Sequence, residues 1–267
     1  MKSKPFDLYQ YYENSVQTPS EHVDIFSRMF REIRGRDAMS LKEDFCGTFL
    51  ISCSWVRSHP ERVAIGVDLD LEPIQYGKKH GFKELKAGEK KRVKILQKNV
   101  CDHLREKSDI IGAGNFSFFI FKKREELKQY FQAALKNLVK DGIFVLEMAG
   151  GPGFIKSGRE QRTYRLKGVG KYTYYWDQKS YDPVQAHGLY AIHFREPNGN
   201  FRKDCFTYDW RVWTIPELKE LMIECGFREA AIYWETSDRH GKGTGEYMRT
   251  AKGDNAYSWI AFVVGIR

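Results

Sequence analysis

The 267-residue chain lacks a long hydrophobic run: its longest apolar stretches, such as residues 110–121, are too short and too interrupted to cross a bilayer. The opening MKSKPFDLYQ carries basic residues with no apolar core behind them, so no secretory signal is expected there. Cysteine is sparse. Cys46, Cys53, Cys101, Cys205 and Cys225 are an odd number, widely scattered, with no CxxC pair. That argues against a disulfide framework and against a zinc site; no metal is expected, and the expected address is the reducing cytoplasm. Internal repeats and low-complexity tracts are also missing. So are the glycines of a dinucleotide fingerprint. EDFCGTF keeps one of them, and the later GGPG of Gly150–Gly153 follows the fifth strand and not the first, which excludes NAD as the expected ligand.

What is present is the material of a folded domain, with 42% hydrophobic and 30% charged residues. Lys and Arg outnumber Asp and Glu by 44 to 35, a formal charge of +9 that could draw a polyanion. Much of the surplus lies in Lys78–Lys98 and Lys122–Arg124, where Glu84, Glu89 and Glu125 interrupt it. Such mixing describes a solvated surface better than a nucleic-acid groove.

Val23, Phe26, Met29, Phe30 and Ile33 recur at helical spacing and predict an amphipathic helix over 21–34. Strands are then expected at 41–45, 62–67, 93–97, 109–113 and 143–148. Helices fall between them: one over 48–58, one opened by Asp70 and Pro73, and one over 124–139. Strands alternating with helices predict βαβ units and a parallel sheet covered on both faces, an α/β fold. From Phe154 to Trp213 the helical period disappears and 14 of the 39 aromatic residues gather. Tyr172, Tyr174 and Trp176 alternate with Thr173, Tyr175 and Asp177, and Asn198-Gly199 is a strong hairpin signal. This stretch reads as an antiparallel insertion. A helix capped by Thr214 and strands at 229–234 and 257–266 complete the core; 238–246, with His240, reads as a polar loop or lid. The expected organisation is therefore a cap segment (1–40), a core (41–153), the insertion (154–213) and a returning core (214–267).

The chemistry points to LKEDFCGTFL (Leu41–Leu50), where a strand carrying an acid turns at Gly47 into a helix. Open α/β sheets bind nucleotide-like ligands at this place, beyond the carboxyl ends of the strands. Glycine lets a ligand approach the backbone, and the following helix offers free amides. A second acid, Asp68, ends the next strand in GVDLD, suited to accept from two ribose hydroxyls.

LKEDFCGTFLIS, GVDLDLEPI, DIIGAGNFSFF and LKNLVKDGIFVLEMAGG together resemble the successive motifs of class I S-adenosylmethionine-dependent methyltransferases. The resemblance spans roughly residues 8–267. YENSVQTP and FTYDWRVWTIPELKELM are similar to a bacterial group within that family whose substrate is unassigned. It implies a Rossmann-like, seven-stranded, mostly parallel sheet with its last strand antiparallel, and S-adenosyl-L-methionine as the methyl donor. It further implies that Glu43 is the first-strand acid and that Phe45, Cys46, Gly47 and Thr48 form the donor turn. Asp68 holds the ribose, Leu69 packs on the adenine, Asn99 and Val100 read its amino group, and Asn115, Phe116 and Ser117 face the transferred methyl. Phe45 and Phe49 stand where the family has glycines, and Phe45 is expected to press on the donor's methionine part.

A roof for the site is expected from Tyr11, Tyr12 and Gln17 or from the aromatic insertion. In the insertion His193, Tyr208 and Asp209 are the candidate catalytic groups, with Arg211 two residues from Asp209 as a competing ion-pair partner. A small-molecule acceptor methylated on oxygen or nitrogen is the leading expectation. An RNA or other nucleic-acid methyltransferase and a non-catalytic donor-binding protein are the alternatives. No membrane partner is expected, and a homodimer is among the expected assemblies.

Overall fold

β-Branched and aliphatic runs form the centre of the molecule. The computed structural model describes residues 5–239 and 241–267, so His240 lies outside the described residues. Five strands, β1 (Ser40–Asp44), β2 (Val63–Asp68), β3 (Val93–Gln97), β4 (Ser108–Ala113) and β5 (Leu138–Gly150), pair in parallel. Helices α1 (Leu8–Val16) and α2 (Pro19–Arg34) precede them. Between them lie α3 (Leu50–Ser58), α4 (Leu71–Lys79), the short α5 (Ala87–Lys90) and α6 (Arg124–Asn137). Asp70 caps α4 by accepting from the Glu72 N–H at 3.0 Å, as expected.

After β5 and a single helical turn, α7 (Pro152–Ile155), the chain makes a four-stranded antiparallel meander: β6 (Gly158–Leu166), β7 (Gly170–Asp182), β8 (His187–Arg195) and β9 (Phe201–Arg211). The β8–β9 turn places Gly199 at φ +91°, so the Asn-Gly hairpin signal is realised. Then α8 (Ile215–Glu224), capped by Thr214, leads to β10 (Glu229–Ser237), β11 (Gly243–Thr250) and β12 (Trp259–Ile266). The main sheet runs β11-β10-β12-β5-β4-β1-β2-β3, with β12 antiparallel between β5 and β10.

The sheet thus has eight strands and not seven, because residues 243–250 pair along β10. Two glycines and mostly exposed side chains disguise β11 as a loop in the sequence. Only Tyr247 is buried, its ring centroid 4.7 Å from that of Phe262. One aromatic anchor and a ladder of backbone hydrogen bonds suffice for an edge strand.

Each strand faces two layers. On β1, Glu43 points toward α3, while Lys42 and Asp44 form a buried ion pair on the other face, beneath α6, where the Tyr130 hydroxyl donates to Asp44 at 2.9 Å. One core lies beneath α2 and α3, a second beneath α6 and α8. A third cluster joins α1 to the inner face of the meander through Tyr11, Tyr172, Ile192 and Phe194.

Candidate functional site

Three turns at the carboxyl ends of β1, β2 and β4 form a crevice. In the first, Phe45 (φ +55°), Gly47 (+51°) and Phe49 (+50°) are all left-handed. The backbone of a three-glycine turn is kept although two positions carry phenylalanine. Each such residue costs roughly 1–2 kcal/mol. The strain is sustained by bonds on every side: Cys46 N–H to the Val67 carbonyl (3.1 Å), Phe49 N–H to the Cys46 carbonyl (2.6 Å), and Gly47 N–H to Asp68 Oδ2 (2.7 Å). Phe49 is fully buried, and the Phe45 ring is taken up by Phe121 and Tyr130, at 6.0 and 5.6 Å between centroids. The expected pressure of Phe45 on a ligand is therefore replaced by packing into the core. A Cβ built on Gly47 meets nothing within 4 Å, so the space above this turn is open.

Asp68 Oδ1 accepts from the Asp70 N–H at 2.9 Å, which fixes its carboxylate beside Gly47. Leu69, next to it, is 64% exposed, an apolar side chain with an uncovered face. Asn99 turns its side-chain oxygen onto the Cys101 N–H (2.9 Å), and Val100 is buried. After β4, Asn115 (φ +53°) and Phe116 (+58°) form another left-handed turn, closed by the Ser117 hydroxyl on the Gly114 carbonyl at 2.8 Å. Cys46 is buried, and burial pushes its thiol well above the usual range, so it is not a nucleophile. Thr48 is buried with its hydroxyl unpaired. Glu43 spends Oε2 on the Ser52 N–H (2.7 Å) and hydroxyl (2.5 Å), and burial raises its pKa to about 7.

Sequence reading missed a second buried pair. His22, near the start of α2, meets Glu147 on β5 at 3.1 Å, and the same Glu147 oxygen accepts from the Asn115 N–H at 2.6 Å. The other ring nitrogen of His22 lies 3.1 Å from the Thr18 carbonyl. Both ring nitrogens thus face acceptors, the arrangement that suits an imidazolium. Burial opposes the charge on His22, but Glu147 outweighs it and raises the pKa to about 9. In turn, burial opposes ionisation of Glu147, and His22 with the Asn115 N–H overcomes it and keeps the carboxyl below its usual range. The one signal in the sequence was that His22 continues the apolar face of α2.

The aromatic meander closes the crevice from the side. Its inner face presents Tyr174, Trp176, Tyr208 and Trp210, with Tyr208 and Trp210 stacked at 4.4 Å. Tyr12 of α1 hydrogen-bonds Tyr208, and its ring lies 4.6 Å from that of Phe206. Tyr11, in contrast, is buried between Phe6, Tyr172 and Phe194, which leaves it no surface for a ligand. Two expected catalytic groups also sit elsewhere. Neighbouring side chains on a strand point to opposite faces. Tyr208 and Phe194 look inward, so Asp209 and His193 look outward: Asp209 pairs with Lys122, and His193 is held by Asp177 (3.0 Å) and the Asp204 N–H (2.7 Å). Arg211 pairs with Glu217 at 3.1 Å, not with Asp209.

The sequence matches no protein-family model and no curated protein. Its fold matches solved structures over nearly its whole length. A sugar N-methyltransferase from Streptoalloteichus sp. superposes at TM-score 0.67 with 16% identity, over 100% of this chain and 95% of that one. An amino pentose methyltransferase from Micromonospora echinaspora, solved with S-adenosylmethionine, gives 0.65 and 15% over 98% and 99%. A glycopeptide N-methyltransferase, also solved with S-adenosylmethionine, gives 0.56 and 13% over 94% and 95%. At these identities the likeness is one of fold.

Proposed function

We propose that this chain is a class I S-adenosyl-L-methionine-dependent methyltransferase acting on a small-molecule acceptor. The observation that carries the reading is the open space above Gly47, flanked by the fixed Asp68 carboxylate and the uncovered Leu69, at the end of the sheet that the aromatic meander covers. These residues fit the donor. Asp68 is an acceptor for ribose hydroxyls, Leu69 is a platform for the adenine, and Asn99 and Val100 border the same edge. Asn115, Phe116 and Ser117 form the wall between donor and cleft. When bound, the donor supplies an electrophilic methyl group on a sulfonium.

The chain's own contribution is to orient the acceptor and to manage its proton. Burial raises the phenol of Tyr12 to about 12 and that of Tyr208 well above its usual range. At neutral pH both are hydrogen-bonding hydroxyls and not bases. The ionised group on this side of the crevice is Glu147, held charged by His22 and the Asn115 N–H. Aromatic faces attract cations, so they would favour the positive charge that develops on a neutral acceptor amine as it takes the methyl group from sulfur. The named activities of the fold relatives, sugar and glycopeptide N-methylation, agree with that choice. The five free cysteines support a reducing, cytoplasmic setting.

The test is calorimetry with S-adenosylhomocysteine, followed by a screen of amine and hydroxyl acceptors with radiolabelled donor. Absence of binding at millimolar ligand refutes the reading.

A further inference from the structure

Two buried oxygens on one face of α1 and a third in the donor turn have no hydrogen-bond partner. Among the described residues, seven buried side-chain atoms have no hydrogen-bond partner, and three of them are Glu13 Oε1, Gln17 Oε1 and Thr48 Oγ1. Glu13 and Gln17 are four residues apart on α1 and its C-cap, hence on one face of the helix. Tyr9, four residues earlier on that face, lies over Glu72 with Asp70 and Asp68 nearby. That face is about 12 Å long from Tyr9 to Gln17. In its middle, burial raises the pKa of Glu13 on balance, although Thr48 lies close enough to lower it, and neither Glu13 Oε1 nor Thr48 Oγ1 completes a hydrogen bond.

A buried polar atom left unpaired costs roughly 1–3 kcal/mol, so three together mark a place built for something that arrives. Their chemistry says what. A carboxyl, an amide oxygen and a hydroxyl are three acceptors, and burial raises the Glu13 pKa, an effect that an incoming positive charge would oppose. A carboxylate ligand would be repelled, whereas an ammonium brings three N–H donors and the opposite charge. Resting on the donor reading above, we propose that Glu13, with Thr48 and Gln17, binds the α-ammonium of the donor's methionine moiety, so that α1 is part of the donor site and not only its cover.

The experiment compares two ligands on wild type, Glu13→Gln and the shape-conserving Thr48→Val by calorimetry. One ligand is S-adenosylhomocysteine, the other its analogue without the α-amino group. Glu13→Gln is expected to weaken S-adenosylhomocysteine at least about tenfold and Thr48→Val about threefold to tenfold, as for hydrogen bonds to a charged group. The analogue should bind all three proteins alike. Equal weakening of both ligands, or affinities within about twofold of wild type for S-adenosylhomocysteine in both variants, overturns the assignment while leaving the donor reading intact. Wild type that binds neither ligand overturns both.

Discussion

The Asn14 side-chain amide donates to the Tyr172 hydroxyl at 2.9 Å across 158 residues of chain. The same hydroxyl meets the Ser15 hydroxyl at 2.6 Å and donates to the Tyr11 carbonyl at 3.3 Å. One phenol on the insertion thus gathers a turn of α1 and sets where that helix lies over the crevice. Tyr172→Phe keeps the ring and removes these bonds, at an expected cost of about 1–3 kcal/mol. The loss should appear as a lower melting temperature and faster amide exchange in α1. Unchanged exchange there would mean that packing alone holds the helix.

Donor binding should follow the first two turns. Gly47→Arg fills the open space above the turn and is expected to abolish binding of S-adenosylhomocysteine. Asp68→Ala should weaken it by about 1.5–3 kcal/mol. An unchanged affinity in Asp68→Ala would assign the ribose to another acid.

The left-handed phenylalanines allow two effects to be weighed. Phe49→Gly relieves roughly 1–2 kcal/mol of backbone strain but removes a buried ring worth roughly 3–5 kcal/mol. The variant should therefore be destabilised by about 2 kcal/mol, as read from denaturant unfolding. A stabilised variant would show that the strain was the larger quantity.

Stability should depend on pH through the His22–Glu147 pair. The folded-state pKa of His22, about 9, lies above the unfolded value near 6.5. Its contribution is thus fully present below pH 6.5 and is lost as the pH rises through 9. Glu43, raised to about 7 by burial, stays protonated in the fold while the unfolded chain ionises, so stability also falls as pH rises between about 4.5 and 7. His22→Gln should lose on the order of 3 kcal/mol at pH 6 and abolish the decline between pH 6.5 and 9. A decline that persists in the variant would place its origin elsewhere.

The surplus of positive charge should carry no nucleic-acid function. The side chains of Lys90 and Arg92 donate to backbone carbonyls of Lys83, and of His59 and Arg62, and so are partly spent on the fold. We expect no tight binding of RNA or DNA at 150 mM salt, and unchanged donor affinity when Lys90, Lys91 and Arg92 become Gln. Submicromolar RNA binding that falls on the order of a thousandfold between 50 and 200 mM salt would reverse that reading.

By itself the sequence determined what depends on neighbours along the chain. Alternating strand and helix periods placed Glu43, Gly47 and Asp68 one βαβ unit apart. Asn198-Gly199, Asp70 and Thr214 marked a turn and two helix starts, because their backbone and side-chain preferences act over a few residues. On a strand, neighbours such as Tyr208 and Asp209 must point to opposite faces. Only the tertiary structure decided which of the two looks into the cleft, since alternation is symmetric until another layer covers one face. It likewise brought Glu13 to Thr48, and His22 to Glu147 across 125 residues. Such pairs leave little local trace. Each member reads as an ordinary polar residue on its own helix or strand, and only burial against the other sets it apart.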